Sequence, residues 1–192
     1  MNRKGYRWLF SLLLLPLLAQ GANQSDLDKL VELKKAQSTY LDLSNVDLRN
    51  YSFIPGKIDL QRANLSHSNL SGVDLSKMNL SGANLSYANL ANARLNQAVL
   101  TSANLQHANL SGAELHQTDL SGADLSFATL TTANLQQALF IKADLTCVNL
   151  NQADLTRSNF TEAVISGATF INTMTADIIG YDSVTDRKIS CG

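Results

Sequence analysis

At 192 residues the chain has the length of one domain, and its formal charge of −1 excludes the strongly basic footprint of a protein that holds nucleic acid by charge. With 45 % hydrophobic and 16 % charged residues, its composition is that of a globular protein.

The first 21 residues read as a secretory signal peptide. Arg3, Lys4 and Arg7 precede the apolar run Trp8 to Leu18, and Ala19-Gln20-Gly21-Ala22 supplies small residues at a cleavage point. The run is too short to span a bilayer and contains Pro16, so no stable membrane span is expected in the mature form. No Cys follows it, so lipoprotein processing is not supported. Cleavage after Gly21 leaves 12 basic and 16 acidic residues, a mildly acidic exported protein, periplasmic or secreted.

Residues 22–42 are expected to form a short capping helix. Ser25 is its N-cap, Asp26 and Asp28 lie in the first turn, Leu27, Leu30, Val31 and Leu33 supply an apolar face, and Lys34 and Lys35 sit near the far end. Residues 43–57 then begin a five-residue beat with Leu43, Leu48 and Phe53. The beat slips at Ile54-Pro55-Gly56-Lys57, which predicts a first irregular coil with a two-residue bulge.

From 58 to 172 a large apolar residue occupies every fifth position, Leu60 to Phe170, and these 23 positions hold 19 Leu, three Phe and one Ile. Ala stands two residues before in 16 cases, and Asn or Asp one residue before in 16. A step of five turns about 140° on a helix and alternates faces on a strand, so neither regular element keeps these residues inside. A short extended piece followed by a bend does: Ala and Leu point in, the Asn or Asp points out, and the last two positions turn the chain. Gly72, Gly82, Gly112 and Gly122 suit turns with positive φ. Stepping by 20 aligns an alanine column from Ala63 to Ala163, a glutamine column Gln97, Gln117, Gln137, and the alternating charges Asp74, Arg94, Glu114. Four units per coil follow.

This repeat resembles the pentapeptide-repeat proteins. The resemblance implies an all-β fold, a right-handed quadrilateral β-solenoid, over residues 58–172. Arg94, Val99, Glu114 and Leu139 depart from it at the Asn/Asp position, and Met78, Thr118, Val148 and Ser158 at the Ala position. After Asn172 the beat is expected to stop. Residues 173–192, with Ile178, Ile179, Tyr181, Val184 and Ile189, then form a C-terminal cap of hairpin or strands. The resemblance also implies end-to-end dimerisation through the C-terminal end, unless the cap leaves a monomer.

The exterior yields no catalytic, cofactor-binding or metal-binding residues. No metal-ligand spacing, phosphate loop or nucleophile motif occurs, so an enzyme is not expected. His67, Tyr87, His107 and Phe127 share one turn position in successive coils and predict a vertical stripe, which either ties coil to coil or binds a protein or cell-envelope glycan. Leu139 and Ile141 form a smaller outward patch. Cys147 and Cys191 are the only cysteines, and in an exported chain they predict one disulfide that pins the tail to the rod.

The function expected from these residues is a non-enzymatic exported scaffold or interaction module. The runner-up comes from the resemblance: a DNA mimic that protects DNA gyrase from quinolones. The repeats carry 8 acidic and 5 basic residues, too weak an imbalance to imitate phosphate, and export separates the protein from gyrase. Ice or mineral binding through Asn69, Asn89 and Asn109 ranks lower, because Thr129 interrupts that row.

Overall fold

The computed structural model describes residues 41–186, 190 and 191. The expected signal peptide lies outside these residues, as does the expected helix except for its last two positions. Those two are extended rather than helical: Leu41 accepts a bond from Asn64 N–H, and Asp42 pairs with Asn64. The first coil therefore begins by residue 41.

Parallel bridges join each outward residue to the one 20 positions later, from Asn64 and Asn84 through to Asn159 and Ile179. Twenty residues make one coil, and four five-residue units make its sides. We number the sides by their outward residues. Side one carries 64, 84, 104, 124, 144 and 164, side two carries 69 to 169, side three 74 to 174, and side four 79 to 179.

Every backbone donor of a unit has a place. In Ala83 to Tyr87, the Ala83 N–H bonds Leu80 O within the preceding turn (2.9 Å), Asn84 bonds Ala63 O in the coil below (2.9 Å), and Leu85 bonds Asn104 O in the coil above (2.7 Å). Tyr87 N–H bonds Gln106 O above (2.9 Å). The fifth donor, Ser86 N–H, has no backbone acceptor in reach and is taken by the side-chain oxygen of Asn84 (3.1 Å). All 16 Asn and Asp at this position of the repeat accept the same bond, from Asp59 with Gln61 to Asn159 with Thr161. The Asn/Asp preference thus closes the hydrogen-bond account of the turn. Where it is missing, a neighbour can substitute: Asn96 Oδ1 accepts His116 N–H beside Glu114, and Asn151 Oδ1 accepts Ile171 N–H beside Thr169.

From Leu60 to Thr173 each corner is a four-residue turn closed from its first carbonyl to its fourth N–H, such as Leu85 to Ala88 (3.0 Å). Its third residue has φ between +55° and +70° at every fifth position from Arg62 to Asp177, glycine or not, while the second does not. That combination is a type II turn. Most of these positions are not glycine. The left-handed conformation costs an L-residue roughly 1 kcal/mol, and the cost is offset because the same residue's N–H makes a bond to the next coil. Thr132, β-branched at φ 58°, is the most strained of them.

Leu60 to Leu155 point into the rod with no exposed surface, opposite the small alanines, and Phe140 stacks on Phe160 with centroids 4.7 Å apart. Departures from Ala are accommodated inside: the hydroxyls of Ser68, Thr118 and Ser158 bond Leu65 O, Leu95 O and Leu155 O at 2.6 to 2.7 Å.

At the N-terminal end, Asp42 and Asp47 pair 22 residues ahead, with Asn64 and Asn69. The two extra residues are the bulge expected at Ile54-Pro55-Gly56-Lys57, closed by Lys57 N–H to Ile54 O (3.0 Å) with Gly56 at φ 81°. At the other end the winding does not stop after Asn172. Met174 and Ile179 keep the 20-residue register with Asp154 and Asn159, and Thr185 pairs with Val164 after a one-residue insertion beside the 3-10 turn Tyr181–Ser183. No hairpin forms among the described residues. The apolar beat fades there because Thr175 and Gly180 stand where the rod has Leu, in a coil with no further coil above most of it.

Replacing Leu105 by Ala is expected to cost about 2 to 5 kcal/mol in chemical denaturation. Asn134→Ala should cost about 1 kcal/mol by orphaning Gln136 N–H, and Asn134→Asp should stay within about 0.5 kcal/mol, because either side chain supplies the acceptor. Thr132→Asn should raise the thermal midpoint, since Asn tolerates positive φ.

Candidate functional site

The four residues of the predicted stripe sit on the corner between sides one and two. Their centroids are 5.0, 4.6 and 5.0 Å apart from His67 to Phe127, with interplanar angles of 3°, 8° and 9°. Tyr87 and Phe127 are about half exposed, at 53 % and 46 %. Parallel stacking at one coil spacing occupies the faces of the inner rings with one another, so solvent meets ring edges.

The next residue of this column is Cys147, bonded to Cys191 with Cα atoms 5.6 Å apart. Gly167 follows, at φ 70°, and contributes no side chain. Cys191 lies beside it, its Sγ 3.5 Å from Gly167 O. The tail sulfur thus lies against the backbone of the coil above Cys147. The bond closes a separation of 44 residues and ties the tail to the coil that carries Cys147.

Other columns are polar ladders. Gln97 donates to Gln117 (3.0 Å) and Gln117 to Gln137 (2.9 Å), while Arg94 lies 3.2 Å from Asp74 and 3.6 Å from Glu114. Asp124 and Asp144 stack as neighbours, and Gln106 donates to Asp124 from the coil below (2.7 Å). In the first coil the Arg49 guanidinium, 2.7 Å from Asp47, holds that carboxyl below the ordinary carboxylate range. Leu139 and Ile141 are mostly covered, so their patch is smaller than the sequence implies. Among the described residues, no group of three or more His, Cys, Asp or Glu comes together to hold a metal ion.

The sequence reading missed the last coil. Phe160, Phe170, Thr175, Asp177, Ile178 and Tyr181 line an open hollow of about 500 Å³ at the end of the rod. Phe160 reaches it from the coil below. In the same coil Ile171, Met174, Ile179 and Tyr181 are each more than half exposed, and of these Tyr181 also lines the hollow. The available signal was a change at the outward position, where Met174 and Ile179 replace the Asn or Asp of the rod.

Comparison with protein families gives eight copies of Pentapeptide repeats over residues 58–97, 79–117, 98–137 and 138–173. The chain belongs to the pentapeptide-repeat family. No curated protein matches it. Among solved structures, this pentapeptide-repeat protein is similar to one from the Arabidopsis thaliana thylakoid lumen. That pair is 28 % identical, over 57 % of this chain and 74 % of the other, with a TM-score of 0.43. It is similar also to HetL, involved in heterocyst differentiation regulation in the cyanobacterium Nostoc sp. strain PCC 7120. Here identity is 21 % over 85 % and 94 % of the two chains, with a TM-score of 0.35. QnrB1, a plasmid-mediated fluoroquinolone resistance protein, matches at 18 % identity over 77 % of each chain, with a TM-score of 0.36.

Cys191→Ser is expected to lower stability by about 2 to 4 kcal/mol in denaturation of the oxidised protein. Gly180→Ala should loosen the last coil, since an added Cβ meets the Thr161 backbone; hydrogen exchange should rise there and not in the central coils. Because Asp47 has a depressed pKa, its contribution is present above the ordinary value near pH 4 and is lost as pH falls through the folded value. Asp47→Asn should therefore flatten the acid limb of a urea-midpoint titration.

Proposed function

We propose that this pentapeptide-repeat protein is a non-enzymatic, exported interaction module that presents rigid solenoid surfaces to a protein or cell-envelope component. The observation that carries the reading is the last coil. Ile171, Met174, Ile179 and Tyr181 stand exposed in this coil, which also forms the hollow lined by Phe160, Phe170, Ile178 and Tyr181. Exposed apolar groups gathered at a sheet edge mark a contact surface. Among the described residues, upward donors such as Phe170 N–H and Thr175 N–H meet no backbone acceptor. A second copy joined end to end, or a partner protein, suits this end; a monomer is the alternative state.

Export is supported by the basic and apolar N-terminal sequence and by the Cys147–Cys191 bond, since disulfides persist in oxidising compartments. The non-enzymatic part is supported by an interior filled with leucine. The right-handed winding implied by the resemblance and a helical lid before residue 41 complete the reading. The gyrase-mimic reading loses ground in the ion pairs: Asp74 and Glu114 flank Arg94, Glu162 meets Lys142 (3.5 Å), and Asp177 meets Arg157 (3.6 Å).

The test is fractionation of a bacterial host expressing the full chain, with crosslinking and thiol alkylation. The expected result is recovery outside the cytoplasm with both cysteines oxidised, and crosslinked species that diminish in the Ile179→Asp/Tyr181→Asp variant. Recovery in the cytosol with free thiols and a bound topoisomerase would overturn the proposal.

A further inference from the structure

Side two and its two corners differ from the rest of the rod. The segments 66–72, 86–92, 106–112, 126–132, 146–152 and 166–172 contain no Asp, Glu, Lys or Arg. All 13 charged residues between 58 and 172 fall on the other three sides or the corners between them. Across four coils this charge-free surface repeats one pair, a ring at the corner and a small polar group two residues on: His67 and Asn69, Tyr87 and Asn89, His107 and Asn109, Phe127 and Thr129. It is bounded above by the Cys147–Cys191 bond and below by the Asp47–Arg49 pair.

The hydrogen bonds of the amides give this surface a sign. Asn69 Oδ1 accepts from Ser71 N–H, Ser71 O–H and Asn89 Nδ2, and Asn89 Oδ1 accepts from Ala91 N–H and Asn109 Nδ2. Asn109 Oδ1 accepts from the N–H and O–H of Ser111. The oxygens are thus committed within the protein. Each amide carries two N–H donors, and Asn89 and Asn109 use one apiece in the ladder. The second N–H of Asn89 and of Asn109 makes no hydrogen bond among the described residues, and the neighbouring column presents ring edges, the electropositive part of an aromatic. The strip offers uncharged donors at a regular rise of about 4.8 Å per coil, on a backbone already ordered before binding.

We propose that this strip binds a neutral, linear polysaccharide lying along the solenoid axis. An anionic or cationic polymer would surrender hydration here without meeting a counter-charge. A globular protein surface would find few buried apolar anchors. A neutral glycan supplies hydroxyl and ring-oxygen acceptors at repeated intervals, and repeated equal rungs suit a repeated ligand. The ring faces are already taken by stacking, so sugars meet ring edges and amides instead of lying flat on an aromatic platform. The inference rests on the exported-module reading and names the envelope component it would contact.

The experiment is isothermal titration of the full chain with three neutral hexamers, of β-1,4-glucose, α-1,4-glucose and β-1,4-N-acetylglucosamine, at low and high NaCl. At least one hexamer should bind with an affinity that changes less than twofold with salt. The Asn89→Asp/Asn109→Asp variant should weaken it at least tenfold; Asp makes the same turn bond at Asp74, Asp124 and Asp144, so the fold is kept. Tyr87→Gln, using the residue found at the same turn position in Gln97 and Gln117, should weaken binding several-fold. Ile179→Asp/Tyr181→Asp should leave it unchanged, which separates the strip from the end-coil contact. Failure of all three hexamers to bind, affinity that falls steeply with salt, or unaltered binding by the Asn89→Asp/Asn109→Asp variant would each overturn the assignment.

Discussion

Five backbone N–H groups must be placed in every five-residue unit, and the geometry of a bent chain provides backbone acceptors for four of them. The fifth, on the first turn residue, depends on the side chain two positions earlier, as Ser86 depends on Asn84. This one bond links sequence to fold. It lets a corner be made without glycine, allows the neighbouring N–H to reach the next coil, and leaves Leu and Ala free to fill the interior. The buried leucines supply the driving force; the Asx bond decides that the chain turns where it does.

The placement of side chains on the exterior is a by-product of the same constraint. Because the register between coils is 20 residues, any outward position becomes a column, and its chemistry is repeated or varied coil by coil. The ring column, the glutamine ladder and the Asp74–Arg94–Glu114 series are three uses of that freedom. The rings from His67 to Phe127 tie coil to coil by stacking, and in doing so turn their edges outward toward the amides of side two.

Much of this was legible in the sequence because the period is so strict. The coil length, the stripe, the charge ladder, the bulge at Pro55-Gly56 and the pairing of the two cysteines all follow from residues that recur or stand out. The family resemblance and the structure agree on the solenoid. What could not be read was the positive φ at non-glycine corners such as Tyr87 and Thr132, since no residue type there announces it. The last coil was also misread. Its interior positions hold Thr175 and Gly180, and a rule built on large apolar residues ends where a coil no longer has neighbours on both sides.

The 20-residue register also limits how such a chain changes length. Loss or gain of a whole coil leaves every remaining side chain above an equivalent neighbour, with only the span of the rod altered. Removing a single unit keeps the interior intact, since all units present Leu inward, but shifts everything beyond it by one side of the square. Tyr87 would then stand over a polar corner and the ring column would be cut in two. Length in this architecture is therefore quantised for the surface in steps four times larger than for the core.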